Sequence, residues 1–135
     1  MKTLLDASAV LEVIKNFEDE KALHVFDESY VLDLTKYEVG NGVWKEYAQD
    51  AIREDEFQEF LDSLRTVVDR AKPLVPDSGN LLEIAKIAAK EITFYDASYV
   101  AMAKARKLVL ITEDSKLLKV ASRHAKTRST GDLFS

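Results

Sequence analysis

Thr3-Leu4-Leu5-Asp6-Ala7-Ser8-Ala9-Val10-Leu11-Glu12-Val13-Ile14 begins as a short apolar run suited to a buried strand. It then continues with apolar residues at helical spacing, and Asp6 marks the junction. The same grammar returns near the other end of the chain. Leu108-Val109-Leu110-Ile111 is the clearest strand in the sequence, and Asp114 follows it and opens a helix to about Ser122. A strand that ends at an acid and turns into a helix, met twice, is the pattern from which the rest of the chain is read.

Between these two units the alternation continues. Residues 18–28 read as a helix, with Phe17, Leu23, Val25 and Phe26 as its main apolar positions. Tyr30-Val31-Leu32 reads as a strand closed by Asp33, and helical spacing resumes from Leu34 to Gln49 through Val39, Val43, Trp44 and Tyr47. From Arg53 to Arg70, Phe57, Phe60, Leu61, Leu64, Val67 and Val68 recur every three or four positions, which predicts an amphipathic helix. Lys72-Pro73-Leu74-Val75-Pro76 is too short and proline-bound for a helix and suits a strand near a sheet edge. Helices are expected over Leu81–Glu91 and from Asp96 to about Arg106, and a last short strand over Lys126–Ser129. Short strands alternating with helices predict an α/β fold, a parallel sheet covered on both faces.

At 135 residues with 47% apolar content, the chain fits one domain spanning residues 1–135, with a single continuous core. No stretch approaches the roughly 20 apolar residues of a membrane span, and Asp6 interrupts the start too early for a signal peptide. A soluble, cytoplasmic protein without a membrane partner is the expectation. The absence of cysteine excludes a disulfide framework, a thiolate nucleophile and the common zinc sites, and His24 and His124 are too few for a histidine-based metal site. Any bound metal is therefore held by oxygen.

The net charge of −5 conceals an asymmetry. Residues 1–98 carry 11 Lys/Arg against 21 Asp/Glu, whereas residues 99–135 carry 8 against 3. The basic C-terminal third offers a polyanion a landing strip through Lys104, Arg106, Lys107, Lys116, Lys119 and Arg123; the alternative is a solvated charged face.

Asp6, Glu38 and Asp114 each come shortly after an expected strand, so parallel topology with right-handed crossovers carries all three to the carboxyl edge of the sheet. Asp96 arrives by another route. A helix leading directly into a parallel strand runs antiparallel to it, so a helix of about 16 Å starting at Asp96 begins back at that edge. Each acid also has an ordinary use: Asp6, Asp96 and Asp114 are suited to N-caps, and Thr35-Lys36-Tyr37-Glu38 fits a capping box. Capping, however, does not require four acids to share one edge. If they converge, two carboxylates about 4 Å apart repel by about 4 kcal/mol at an effective dielectric near 20, so the cluster needs a counter-charge. One or two Mg²⁺ or Mn²⁺ ions suit four such acids better than a Ca²⁺ cage, and their chemistry is phosphodiester hydrolysis. Ser8, Asn41 and Thr112 lie two or three residues from Asp6, Glu38 and Asp114 and are candidates to orient carboxylates or waters, against ordinary turn hydrogen bonding. Gly40 and Gly42 inside a helix suggest close packing or a dimer contact there, and Tyr37, Trp44 and Tyr47 are assigned to core or interface.

Four segments in order, Leu4-Leu5-Asp6-Ala7-Ser8-Ala9-Val10, Glu38-Val39-Gly40-Asn41, Tyr95-Asp96-Ala97-Ser98-Tyr99-Val100-Ala101-Met102-Ala103 and Leu110-Ile111-Thr112-Glu113-Asp114, together resemble the PIN-domain nucleases, and the compact form is similar to the VapC-type toxins. The resemblance implies a three-layer fold with a central parallel sheet in order 3-2-1-4-5, Mg²⁺- or Mn²⁺-dependent endoribonuclease activity on RNA, and a homodimer. It further implies a VapB-type antitoxin that covers the acidic pocket and represses its own operon. Asp6, Glu38, Asp96 and Asp114 match the family's acidic quartet, as metal ligands and catalytic groups, with Asn41 and Thr112 at its polar positions. Gly40 and Gly42 depart from the bulkier apolar residues usual around the asparagine, and Asp132 is a candidate additional acid. Two other readings remain: a non-catalytic PIN-like module that binds RNA or protein, and a haloacid-dehalogenase-type phosphatase. The latter is disfavoured by Ser8 where such enzymes carry a second Asp.

Overall fold

The computed structural model describes residues 2–16 and 20–134. Five parallel strands, β1 (Thr3–Leu5), β2 (Ser29–Leu32), β3 (Lys72–Leu74), β4 (Val109–Ile111) and β5 (Thr127–Arg128), form one sheet in the order β3-β2-β1-β4-β5. Eight helices connect or flank them among the described residues: α1 (Ala7–Asn16), α2 (Glu20–His24), α3 (Thr35–Ala48), α4 (Glu54–Arg70), α5 (Leu81–Ala88), α6 (Phe94–Arg106), α7 (Ser115–Ala121) and α8 (Thr130–Phe134). The order and the parallel pairing are those implied by the resemblance.

The strands are short and apolar because both faces of the sheet are covered, and their alternation divides the core in two. Leu4, Leu32, Leu74 and Leu110 point to one face, where they join Ile84 of α5, Tyr99 and Val100 of α6 and Leu117 of α7. Leu5, Val31 and Ile111 point to the other, against Val10 and Val13 of α1, Val39 and Val43 of α3 and Leu64 and Val67 of α4. The central strand β1 is fully enclosed, with Leu4 and Leu5 both at 0% exposure. Burying one such side chain contributes about 1.5–3 kcal/mol, so each layer is held by its own dense apolar contact with the sheet.

Several local expectations give way to tertiary context. Of the helix expected over residues 18–28, the described part is α2 followed by a 3₁₀ turn at Val25–Glu28; Phe17, Glu18 and Asp19 lie outside the described residues. Trp44 is not a core position: the buried stripe of α3 is Thr35, Val39 and Val43, and the indole is 52% exposed. Tyr37 is exposed as well, whereas Tyr47 stacks on Phe57 of α4 at 4.7 Å between ring centres. The helix expected to reach Glu91 ends at Ala88, because Ala89 and Lys90 turn into the left-handed region with φ of 42° and 64°. Gly40 packs toward Leu64 and Gly42 toward Leu11, but a methyl group at either position would sit at ordinary contact distance, 3.9 and 3.8 Å. Close approach of the helices therefore does not require glycine at either site.

Candidate active site

Asp6 leaves the carboxyl end of β1, and its backbone N–H continues the ladder to the carbonyl of Ile111. The side chain is turned inward, at 3% exposure. Its Oδ1 accepts from Ser8 Oγ at 2.7 Å and from the backbone N–H of Ala9 at 2.9 Å, and its Oδ2 accepts from Thr112 Oγ1 at 2.5 Å. Asp6 thus caps α1, as an acid at a strand-to-helix junction is suited to do, and faces the pocket as well. Ser8 Oγ in turn accepts from Glu113 N–H, and Thr112 Oγ1 from Asp114 N–H. Both hydroxyl protons are committed to Asp6, so the two hydroxyls hold the carboxylate between β1 and the turn after β4. Burial nevertheless dominates these three hydrogen bonds and, with Asp96 adding repulsion, pushes the Asp6 carboxyl up to about 6.

The remaining three acids come to the same edge from different elements. Asp114 is the N-cap of α7, with Oδ1 accepting from the N–H groups of Lys116 at 2.9 Å and Leu117 at 3.1 Å. Asp96 is not a cap. Helix α6 begins two residues earlier, capped by Thr93, whose Oγ1 accepts from Asp96 N–H at 3.0 Å, and the Asp96 carboxylate in the first turn is left to face the cluster. Glu38 likewise forms no capping box: the residue preceding α3 is Leu34, which makes no side-chain cap. Thr35 Oγ1 accepts from Leu32 N–H and donates to the Tyr99 oxygen at 2.7 Å, and Tyr99 donates to Glu38 Oε1 at 2.7 Å. The directions in this chain follow from the last link, because a carboxylate can only accept: the Tyr99 proton is committed to Glu38, so Thr35 donates to the Tyr99 oxygen.

The acids act on one another electrostatically. Burial, then Asp96 and Asp6, raise Glu38 above the ordinary carboxylate range, although its Tyr99 hydrogen bond opposes this. Burial and Asp114 raise Asp96, while Thr93 and the ammonium of Lys116 pull it down. Tyr99, buried and facing Glu38, is pushed up and stays protonated as a donor. None of the four acids forms an ion pair with Lys or Arg among the described residues. The expected convergence of Asp6, Glu38, Asp96 and Asp114 is therefore present as a negative cluster in which Asp6, Glu38 and Asp96 are each raised by a neighbouring acid.

Among the described residues no three or more Asp, Glu or His side chains close on one point as a ready-made cage for an ion. The donor set is nevertheless all hard oxygen, and three of the roughly four acceptor positions of Asp6 are already used by the protein. This arrangement fits a small divalent ion that keeps several waters and takes one or two direct carboxylates, rather than a larger cation needing six to eight protein oxygens.

Other expected residues are more dispersed. Ser8 and Thr112 contact Asp6 directly; Asn41 is exposed on α3, one turn beyond Glu38. Asp132 accepts from Ser129 at the start of α8, a local turn contact. The basic residues divide: Lys116 is at the acidic cluster, Lys104 pairs with Glu83 and Arg123 with Glu91, while Lys104 and Lys107 lie at the opposite edge of the sheet. Tyr99 and the hydroxyl of Thr35 are the site residues missed in the sequence. The available signal was the spacing of Tyr99 three residues after Asp96, which puts both on one face of α6.

Comparison with known proteins accords with this fold. The family model described as the PIN domain matches residues 3–123. "Ribonuclease VapC3" of Pyrobaculum aerophilum is 34% identical over 87% of this chain and 92% of its own length, and "Exonuclease VapC9" of the same organism is 32% identical over 96% and 89%. The crystal structure of PAE2754 from Pyrobaculum aerophilum superposes with a TM-score of 0.80 at 30% identity, covering 98% of this chain and 86% of that one. The DNA-bound VapBC complex from Salmonella typhimurium shares the fold, with a TM-score of 0.71 at 18% identity over 96% of this chain and 98% of that one.

Proposed function

The chain belongs to the PIN-domain family, and from that premise we propose that it is a ribonuclease of the VapC kind, the toxin of a toxin–antitoxin pair, which hydrolyses RNA phosphodiesters with Mg²⁺ or Mn²⁺. The observation that carries this reading is the gathering of Asp6, Glu38, Asp96 and Asp114 from four separate elements into one cluster with no ion-paired cation among the described residues. Relatives named ribonucleases and structural neighbours solved as VapBC complexes support it.

Asp6, Asp96 and Asp114 are assigned to hold one or two ions, with Asp6 fixed in place by Ser8 and Thr112. A bound divalent ion supplies positive charge to the phosphodiester and lowers the pKa of a coordinated water. Glu38, held at Oε1 by Tyr99, orients the attacking water with its other oxygen and accepts its proton as the water oxygen bonds to phosphorus and the leaving oxygen departs. Lys116, beside Asp96, is positioned to meet a phosphate at the rim. Asn41, exposed one turn beyond Glu38 on α3, is assigned to orient water or substrate there, and Lys104, Arg106, Lys107, Lys119 and Arg123 are assigned to more distant stretches of RNA. A VapB-type antitoxin would bring a basic side chain to the negative cluster, with the exposed Tyr37 and Trp44 of α3 available to its apolar contacts or to a homodimer.

Purified protein with Mn²⁺ should cleave a structured RNA, lose activity in chelator and recover it on adding metal, while Asp6→Asn should be inactive in a parallel preparation. Equal cleavage by both proteins would remove the catalytic assignment. Metal-independent RNA binding without cleavage would favour a non-catalytic binding module.

A further inference from the structure

At the edge of the sheet opposite the acidic cluster lies a cavity of about 420 Å³ whose lining includes Lys2, Lys104, Lys107, His124 and Lys126. The parallel topology builds it. Lys2 and Lys126 immediately precede β1 and β5, and their carbonyls accept from Val109 and Leu110, which draws the three strand starts together. Lys107 ends α6 in the left-handed conformation, with φ of 55°. Lys2 and Asp6 bracket the same strand, so the cavity stands about 13 Å or more from the acidic cluster at 3.3 Å per residue.

Lysines at helix ends have an ordinary explanation, since they offset the partial negative charge of the last carbonyls. That explanation covers Lys104 and Lys107 at the end of α6. It does not cover Lys2 and Lys126, which belong to no helix. Lys104 is paired with Glu83 at 2.9 Å, whereas Lys2, Lys107 and Lys126 form no ion pair among the described residues. No acid is among the described residues lining the cavity, and Ala103, Leu108, Val109 and Ala125 are the apolar part of its lining. Lysines brought to one cavity from three separate segments, with apolar side chains among its lining, suit a ligand that carries phosphate. The volume lies within the roughly 300–1,000 Å³ of small-molecule sites.

We propose that this cavity binds the phosphate groups of a nucleotide, free or as part of an RNA strand, through Lys2, Lys107 and Lys126, with the base against its apolar lining. The site is distinct from the carboxylate cluster and does not depend on its chemistry.

The test is titration calorimetry in chelator, with ATP and, separately, with a short single-stranded oligoribonucleotide. Wild type, Asp6→Asn and the double variant Lys107→Glu/Lys126→Glu are compared, with circular dichroism to verify folding and Lys126→Ala as a milder substitute. Wild type and Asp6→Asn should bind alike, and the double variant about tenfold or more weakly, because reversing two charges converts attraction into repulsion. ATP binding that is lost in this way identifies a free nucleotide as sufficient; an effect confined to the oligonucleotide identifies the strand. Failure of both probes to bind, or equal binding by wild type and the charge-reversed protein, would overturn the proposal. Since chelator is present throughout, this outcome is separate from success or failure of metal-dependent cleavage.

Discussion

Asp6→Asn should stabilise the metal-free protein at neutral pH while it removes activity. Asp6 is almost fully buried, and its carboxyl is held at about 6 against an ordinary 3.8, because burial outweighs the hydrogen bonds from Thr112, Ala9 and Ser8. At 1.36 kcal/mol per pKa unit, that gap corresponds to about 3 kcal/mol of strain in the ionised folded form. The sign follows from the raised pKa. The fold prefers protonated Asp6, so this contribution is fully present below pH 3.8 and is lost as pH rises through about 6. Asparagine does not ionise and escapes the loss. Its amide keeps Oδ1 toward Ala9 and Ser8 and donates from Nδ2 to Thr112, whose own proton must turn elsewhere, so the expected gain is about 1–3 kcal/mol. The assay is urea unfolding in chelator at pH 7.5 and pH 4.5. The variant should be the more stable at pH 7.5, with the difference shrinking at pH 4.5, and saturating Mn²⁺ should stabilise wild type selectively. A variant less stable than wild type at pH 7.5, or a difference independent of pH, would refute the reasoning.

Three further substitutions probe the surrounding network. Thr112→Val removes both the donor to Asp6 Oδ2 and the acceptor for Asp114 N–H, and should lower stability by about 1–3 kcal/mol in thermal unfolding. Tyr99→Phe releases Glu38 Oε1 and should reduce RNA cleavage about tenfold for a stability change of about 1 kcal/mol. Because the lost hydrogen bond lowers the Glu38 pKa, the acidic limb of the pH–rate profile should also move to higher pH. Gly40→Ala and Gly42→Ala each leave ordinary contact distances and φ outside the left-handed region, so each should raise the free energy of unfolding by about 0.5–1 kcal/mol, read in urea titration.

What could be read in the sequence follows from where information is local. Strand ends at Leu5 and Ile111 are marked by apolar runs that stop at polar residues, and parallel topology then carries Asp6 and Asp114 to one edge whatever their separation in sequence. Helix starts were less legible, since Thr93 and Asp96 are both good capping residues and only the fold selects Thr93, thereby releasing Asp96. Thr35 and Glu38 have the spacing of a capping box, yet Tyr99, more than sixty residues away, takes both side chains. A long-range competitor of this kind leaves no trace in a local pattern. A sum of charges along the chain makes the basic C-terminal third look like one strip. The antiparallel run of α6 against β4 instead puts Lys107 at one edge of the sheet, while the start of α7 puts Lys116 at the other. The end of α5 at Ala89 and Lys90 carries no glycine and gave no warning.

Uptake of a divalent ion by the clustered carboxylates decides the nuclease assignment. Electron paramagnetic resonance of Mn²⁺ titrated into chelator-stripped protein measures this without any RNA. Wild type should remove one or two equivalents of free Mn²⁺ from the signal, Mg²⁺ should compete for them, and Asp6→Asn and Asp96→Asn should each abolish or sharply weaken the uptake. Undiminished uptake by both variants, or none by wild type at millimolar Mn²⁺, would contradict it.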